Sequence, residues 1–210
     1  MDESSVLEKI GVCLENKPKK KFKQSIELGL GFTGINIQDS TYKLNTTVHL
    51  PKGRGKEVEV GVFADGDMNV NAQKHSQHVL NKDEIESYAK TKAKMRKHAR
   101  DCYSFIAQPD LLPVIGKTWG VVLGTRGKMP QPVPPNADLS QVIPRMKDTV
   151  RLKTKKNPSI HVPVGSEGMT AEDILENIKA VLDEIEKKIP REHIQTAYVK
   201  TTMGEAVRLW

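Results

Sequence analysis

Gly29, Gly31 and Gly34 stand in GxGxxG spacing directly after a run of alternating hydrophobicity. That spacing serves dinucleotides when a helix opens at its end, because the helix amides then meet the pyrophosphate. Here the chain continues INIQDSTYKLN, which has no helical pattern, so no dinucleotide cofactor is expected. Gly55-Lys56, Gly116-Lys117 and Gly127-Lys128 each suggest a phosphate loop. That loop also needs a glycine five positions before its Gly-Lys, and Leu50, Leu111 and Val122 stand there instead. His75 and His78 are spaced i, i+3 on an expected helix, with no Glu between them and no evident third ligand, so the expectation is solvated histidines and no metal. Cys13 and Cys102 lack CxxC spacing and a neighbouring His-Asp constellation, which suits buried inert thiols and a reducing cytoplasm. The carboxylates of DILENIKAVLDEIEKK fit the polar face of one helix. No catalytic residue and no cofactor is expected.

The elements that would carry these residues are legible from periodicity. Ser4 or Ser5 caps a first helix with Val6, Ile10 and Leu14 on one face, ended by Lys17-Pro18. Ile26, Leu28 and Leu30 alternate with polar positions or glycine, as in a half-buried strand, and a second strand runs from Thr46 to Leu50. PKGRGK, at 51–56, has two glycines and three bases in six residues and is expected to be a flexible, solvated connector. From Val58 the pattern changes: VEVGVFA is nearly continuous in apolar residues, as in a sheet covered on both faces. A polar helix is expected from Asn69 to Leu80, a basic one from Lys82 to Arg100, then strand YSFIA and a helix within DLLPVIGKTWGVVLG. GTRGKMPQPVPPN packs four prolines and two glycines into 13 residues and is expected to be an irregular exposed loop. Asp138 caps a short helix ending before Pro144.

Strand character then returns in VRLKT and SIHVPV, joined by Asn157-Pro158. Thr170 caps a long helix with Ile174, Leu175, Ile178, Val181, Leu182 and Ile185 on one face, and Gln195–Thr201 and Ala206–Trp210 supply the last strands. The two chain ends resemble each other and differ from the middle, as an inserted domain would produce.

Length and charge narrow the function. The chain has 210 residues, a net charge of +7 and 37% hydrophobic residues, with no apolar run long enough for a membrane span and no signal-like start. The positive charge is segregated. Lys17–Lys23 holds five lysines and no acid, Lys90–Arg100 six bases and no acid, and Arg145–Lys156 six bases against Asp148 alone. Glu172–Glu192, by contrast, has seven acids and four bases. Segregated positive charge suits a polyanion such as RNA or DNA, while the 5% aromatic content argues against a base-stacking surface.

Four segments, in order, resemble the ribosomal protein L-one family, the large-subunit protein of the stalk beside the tRNA exit site. They are KKFKQSIEL at Lys20–Leu28, LGTRGKMPQP at Leu123–Pro132, SIHVPVG at Ser159–Gly165 and TTMGEAVRL at Thr201–Leu209. The short N-terminus is similar to the archaeal form. Thr125 departs from the proline that the family's middle loop often carries. The fold class expected is an α+β terminal domain, an antiparallel sheet with packed helices built from residues 1–52 and 149–210. Into it is inserted an α/β Rossmann-like three-layer domain, residues 53–148. The resemblance implies that the terminal domain binds large-subunit ribosomal RNA, that the chain represses its own mRNA, and that the stalk acts in releasing exit-site tRNA. It further implies no membrane partner and a monomer when free.

The resemblance also assigns residues. Thr202, Met203 and Gly204 match the family's RNA-contacting turn. Thr202 would offer a hydroxyl to a ribose 2′-OH or phosphate, Met203 an adaptable apolar contact, and Gly204 close main-chain approach. An ordinary strand-end turn with a buried Met is the competing reading. Phe22 would pack on ribose and Glu27 would accept from a base amino group or ribose hydroxyl; against this stands Phe22 as core and Glu27 as merely exposed. Lys21, Ser25 and Thr196 lie beside these positions or on the strand leading to the turn. Lys155 and Lys156 are expected to meet phosphates, and His161 either joins them or is a packed structural histidine. Two other functions compete: a nucleotide-dependent enzyme on the middle domain, and a nonspecific nucleic-acid coat protein.

Overall fold

The computed structural model describes residues 3–36, 39 and 41–210. Ile37, Gln38 and Ser40, within the segment after the glycine triplet, lie outside them. The chain divides into two units, Met1–Lys56 with Asp148–Trp210, and Glu57–Lys147.

In the first unit, alternation along SIELGLGF produces strand β1 (Ser25–Phe32), with Ile26, Leu28, Leu30 and Phe32 buried and the intervening residues half-buried. β1 lies between strand β8 (Ser159–Ser166) and strand β9 (Ile194–Thr201), antiparallel to both, and strand β10 (Ala206–Arg208) extends the sheet to the order β10-β9-β1-β8. The apolar face of this sheet shares one core with helix α1 (Glu3–Glu15) and helix α7 (Ala171–Glu186). Thr170 caps α7, its hydroxyl accepting from the Asp173 N–H at 3.2 Å, and the six apolar residues at helical spacing are all buried. Strand β2 (Asn45–His49) pairs antiparallel with strand β7 (Thr149–Lys153) and sends Val48, Val150 and Leu152 into the same core.

The segment 51–56 is not the loose connector its composition suggests. Gly53 and Gly55 turn through positive φ (+66° and +64°), and the turn is pinned to the first unit. Asn177, fully buried on α7, accepts from the Lys52 N–H (3.0 Å) and donates to the carbonyls of Gly53 (2.9 Å) and Val164 (2.8 Å). The Ser166 hydroxyl donates to the Gly55 carbonyl at 2.8 Å. A buried carboxamide must be satisfied, and here the turn's own backbone satisfies it.

The second unit is built on parallel strands in the order β4-β3-β5-β6: β3 (Glu59–Phe63), β4 (Val79–Leu80), β5 (Cys102–Ala107) and β6 (Gln131–Pro132). Its sheet is covered on both faces, as the continuous apolar run of β3 requires. Phe63, Phe105 and Ala107 pack against helices α3 (Lys82–Ala89), α4 (Lys92–Asp101) and α5 (Leu112–Leu123). Val60, Val62 and Ile106 pack against helices α2 (Asp67–Gln73) and α6 (Leu139–Lys147).

Several local expectations are corrected here. The polar helix stops at Gln73, so His75 and His78 share no helix; His78 instead leads into β4, where its carbonyl accepts from the Val62 N–H at 2.8 Å. The basic stretch is two helices, with Asn81 closing a capping box on the first. Within DLLPVIGKTWGVVLG, a segment that Pro113 and Gly116 would be expected to break, α5 runs on uninterrupted: Pro113 occupies its first turn, where no intrahelical N–H is needed. The proline-rich loop contains β6, whose residues pair with Ile106 and Ala107 at the sheet edge, where proline is tolerated. α6 runs through Pro144 to Lys147, at the loss of one backbone hydrogen bond.

Candidate nucleic-acid interface

The face of the first sheet turned away from α1 and α7 gathers the polar residues of four strands. Along β1 it presents Ser25, Glu27, Gly29 and Gly31, a span of about 20 Å at ~3.3 Å per residue. Register fixes their neighbours. Glu27 lies opposite Lys200 and Pro163, Gly29 opposite Tyr198 and His161, and Gly31 opposite Thr196 and Ser159; Arg208 extends the row beyond Tyr198. The two strand glycines make the middle of this face shallow. A Cβ at Gly29 would lie 3.2 Å from Nδ1 of His161, and one at Gly31 2.5 Å from the hydroxyl of Thr196. His161 and Thr196 therefore lie over the backbone of β1. The GxGxxG spacing thus serves a strand with a flattened face.

At one end of the row, two segments far apart in sequence are locked together. The Thr202 N–H donates to the Ser25 carbonyl (3.0 Å), and the Ser25 N–H donates to the Thr202 hydroxyl oxygen (3.1 Å). The hydroxyl in turn donates to the Ser25 carbonyl (3.2 Å). Its proton is thus spent internally, and what it can offer a ribose 2′-OH is an acceptor lone pair. Gln24, fully buried, accepts from the Met203 N–H (3.0 Å) and donates to the Pro18 carbonyl (2.7 Å) and, more weakly, to Glu167 Oε2 (3.4 Å). The Gly204 N–H donates to the Thr201 carbonyl at 3.2 Å.

This wiring corrects the expectation for the turn's main chain. All three amides, of Thr202, Met203 and Gly204, are used within the protein, so a main-chain contact to RNA would have to use carbonyl oxygens, which suit hydroxyls and not phosphates. Gly204 is required by its own neighbours: a Cβ there would run into the buried Thr201 hydroxyl and come within 3.6 Å of Pro18 Cδ.

The remaining side chains fall into place around this end and along the row. Phe22 is 49% exposed and Met203 56% exposed, so neither belongs to the core. Lys21 is exposed beside Phe22, and Glu27 is half-buried two residues along β1 from Ser25. His161 is exposed on the face and is not a packed structural histidine. Lys155 and Lys156 are exposed in the turn between β7 and β8, beyond the opposite end of the row from Thr202. Gln24, Tyr198, Lys200 and Arg208 were missed from the sequence. For Tyr198 and Lys200 the signal was available, since they follow Thr196 at period two on β9. Gln24 had no signal, because its burial depends on three segments meeting.

What emerges is an α/β protein whose first unit has one sheet face that no described residue of that unit covers, lined with hydroxyl, carboxylate and basic groups. No described helix is long and apolar enough to cross a membrane. A model of the Ribosomal protein L1p/L10e family matches residues 14–205. The whole chain is 42% identical to the large ribosomal subunit protein uL1 of Methanocaldococcus jannaschii, covering 96% of that protein. It is 38% identical to the uL1 of Methanothermococcus thermolithotrophicus (99% covered) and 36% identical to that of Thermoplasma volcanium (97% covered), again over the whole chain. The chain belongs to the ribosomal protein L1p/L10e family, in its archaeal type. It is a structural protein and not an enzyme.

Proposed function

We propose that this chain is an RNA-binding protein of the large ribosomal subunit, and that the uncovered sheet face of its first unit holds large-subunit ribosomal RNA. The observation that carries the reading is the coupling of Ser25 to Thr202, which sets Phe22, Glu27 and Met203 around one end of a polar sheet face. There Met203 and Phe22 would lie against ribose, and Thr202 Oγ1 and Glu27 would accept from 2′-hydroxyls or base amino groups. Such contacts distinguish RNA from DNA. Lys21, Lys155, Lys156 and His161, with Lys200 and Arg208, would meet phosphates and hold the RNA in register. The first unit would act as an RNA-binding domain, with Glu57–Lys147 inserted into it as a Rossmann-like domain.

An element of the same shape in the chain's own mRNA would compete for the same face, which makes the protein a translational repressor. As part of the stalk, it would act in the release of exit-site tRNA. The test uses the full chain, a large-subunit RNA fragment, the matching DNA hairpin and random RNA of equal length. Thr202→Val should weaken the specific complex by roughly 1–3 kcal/mol, about fivefold to 150-fold. Equal affinity of the wild type for RNA and DNA hairpins, or an unaffected Thr202→Val, would overturn the reading.

A further inference from the structure

We propose that His78, His98 and Cys102, inside the unit Glu57–Lys147, form a binding site for a zinc-class divalent cation. One ring nitrogen of each histidine and the Cys102 sulfur lie within 4.8 Å of one another. Three structural constraints bring them there. β3 pairing holds the backbone of His78 at the entry to β4, α4 carries His98, and Cys102 follows four residues later as the first residue of β5.

The donor set is chemically suited to such an ion. Imidazole nitrogens and a thiolate are its preferred ligands, at about 2.0–2.3 Å, which in a tetrahedron sets donors about 3.5 Å apart. Closing to that spacing needs side-chain movement of roughly 1 Å, and His78 is the half-buried member of the three, the other two being buried.

A second observation points to a ligand. Nε2 of His98 is buried without a hydrogen-bond partner, on a residue only 9% exposed. Leaving a polar ring atom orphaned costs about 1–3 kcal/mol; among the rings near it, Phe105 (5.8 Å between centroids) has no polar atom to donate and Trp119 (5.7 Å) commits its N–H to the Ile85 carbonyl at 3.1 Å. A bound cation would use its lone pair.

Burial pushes the Cys102 thiol up to about 12, and the ammonium of Lys128, whose Nζ donates to the Cys102 carbonyl at 2.6 Å, pulls in the opposite direction. A coordinating divalent ion deprotonates a thiol outright. Binding would therefore release the Cys102 proton to solvent, and the fourth position would fall to water on the His78 side. His75, whose spacing first suggested a pair with His78, takes no part. The ion would act as a clasp between the start of β4 and the junction of α4 with β5.

The experiment is Co2+ titration of the full chain, freed of metal beforehand, with Zn2+ as competitor. One Co2+ per chain with a sulfur-to-cobalt charge-transfer band, bleached by Zn2+, supports the site. His78→Ala should weaken binding at least about tenfold, since losing a direct ligand costs no less than losing an outer partner, whereas His75→Ala should leave it unchanged. Zn2+ should also raise the melting temperature of the wild type and not of His78→Ala. The site is refuted by the absence of the band, by a band that titrates with wild-type affinity in His78→Ala, or by one that is weakened in His75→Ala. His78→Ala leaves the buried His98 and Cys102 in place, so the comparison does not depend on a core variant that fails to fold.

Discussion

Gln24 offers a way to separate the shape of the turn from its charge. The side chain is fully buried and ties three segments together through the Met203 N–H, the Pro18 carbonyl and Glu167. Gln24→Met keeps the volume and removes the polar atoms. The Met203 amide belongs to an exposed residue and can turn to water, so its loss costs little. The half-buried Pro18 carbonyl at 2.7 Å loses a good donor, and the contact with Glu167, at 3.4 Å, was weak from the start. With a net value of about 1 kcal/mol for a well-made hydrogen bond, the expected loss of stability is about 1–2 kcal/mol. The larger effect falls on binding. Without Gln24 the Met203 N–H loses the buried acceptor that fixes it, and affinity for the large-subunit RNA fragment should fall about tenfold, or ~1.4 kcal/mol. The assay is affinity measured over a series of salt concentrations, beside a urea melt of the same protein. The slope of log affinity against log salt should stay at the wild-type value, because no phosphate contact is removed. Wild-type affinity in a protein that has lost stability would show that the turn is not read by RNA, and a reduced slope would show that charge, not turn geometry, accounts for the loss.

Lys156→Ala should do the reverse: a weaker complex with every RNA tested, specific or random, and a salt slope shallower by about one. A sequence-dependent loss would contradict its assignment to phosphate. Asn177→Leu, at a fully buried side chain, strips partners from the part-buried Lys52 N–H and Gly53 carbonyl and from the buried Val164 carbonyl. At about 1 kcal/mol for each, the urea midpoint should drop by the equivalent of about 3 kcal/mol, and a midpoint within experimental scatter of wild type would mean that the 51–56 turn is held by something else.

The elements most legible in the sequence were those whose pattern is local. β1 and α7 follow from the alternation of Ile26, Leu28 and Leu30 and from the capped helical spacing that begins at Thr170, and the structure realises both. What periodicity could not see was where a polar run stops being helical. Asn69–Leu80 carries no breaker strong enough to announce that Gln73 is the last helical residue, because the chain is redirected there by pairing of Val79 and Leu80 with β3, a tertiary contact. Composition misled at PKGRGK for a similar reason: glycines and lysines read as solvated, but the partner that pins the turn, Asn177, lies over a hundred residues away on α7.

The same distinction governs the sites. Phe22, Glu27 and Thr202 came from a motif resemblance, and the sequence could not show that Ser25 and Thr202 exchange hydrogen bonds; that knowledge changes the chemistry, since a hydroxyl already donating to a backbone carbonyl can only accept from RNA. His78 shows the converse. Read along the chain, its nearest companion was His75 and no third ligand was in view. Folding removes His75 from consideration and supplies His98 and Cys102 from 20 and 24 residues further on, through the parallel pairing of β3 with both β4 and β5. A ligand set of this kind is a property of strand order and not of spacing, which is why a pair with the wrong helical geometry in the sequence can be part of a donor triad with the right chemistry in the fold.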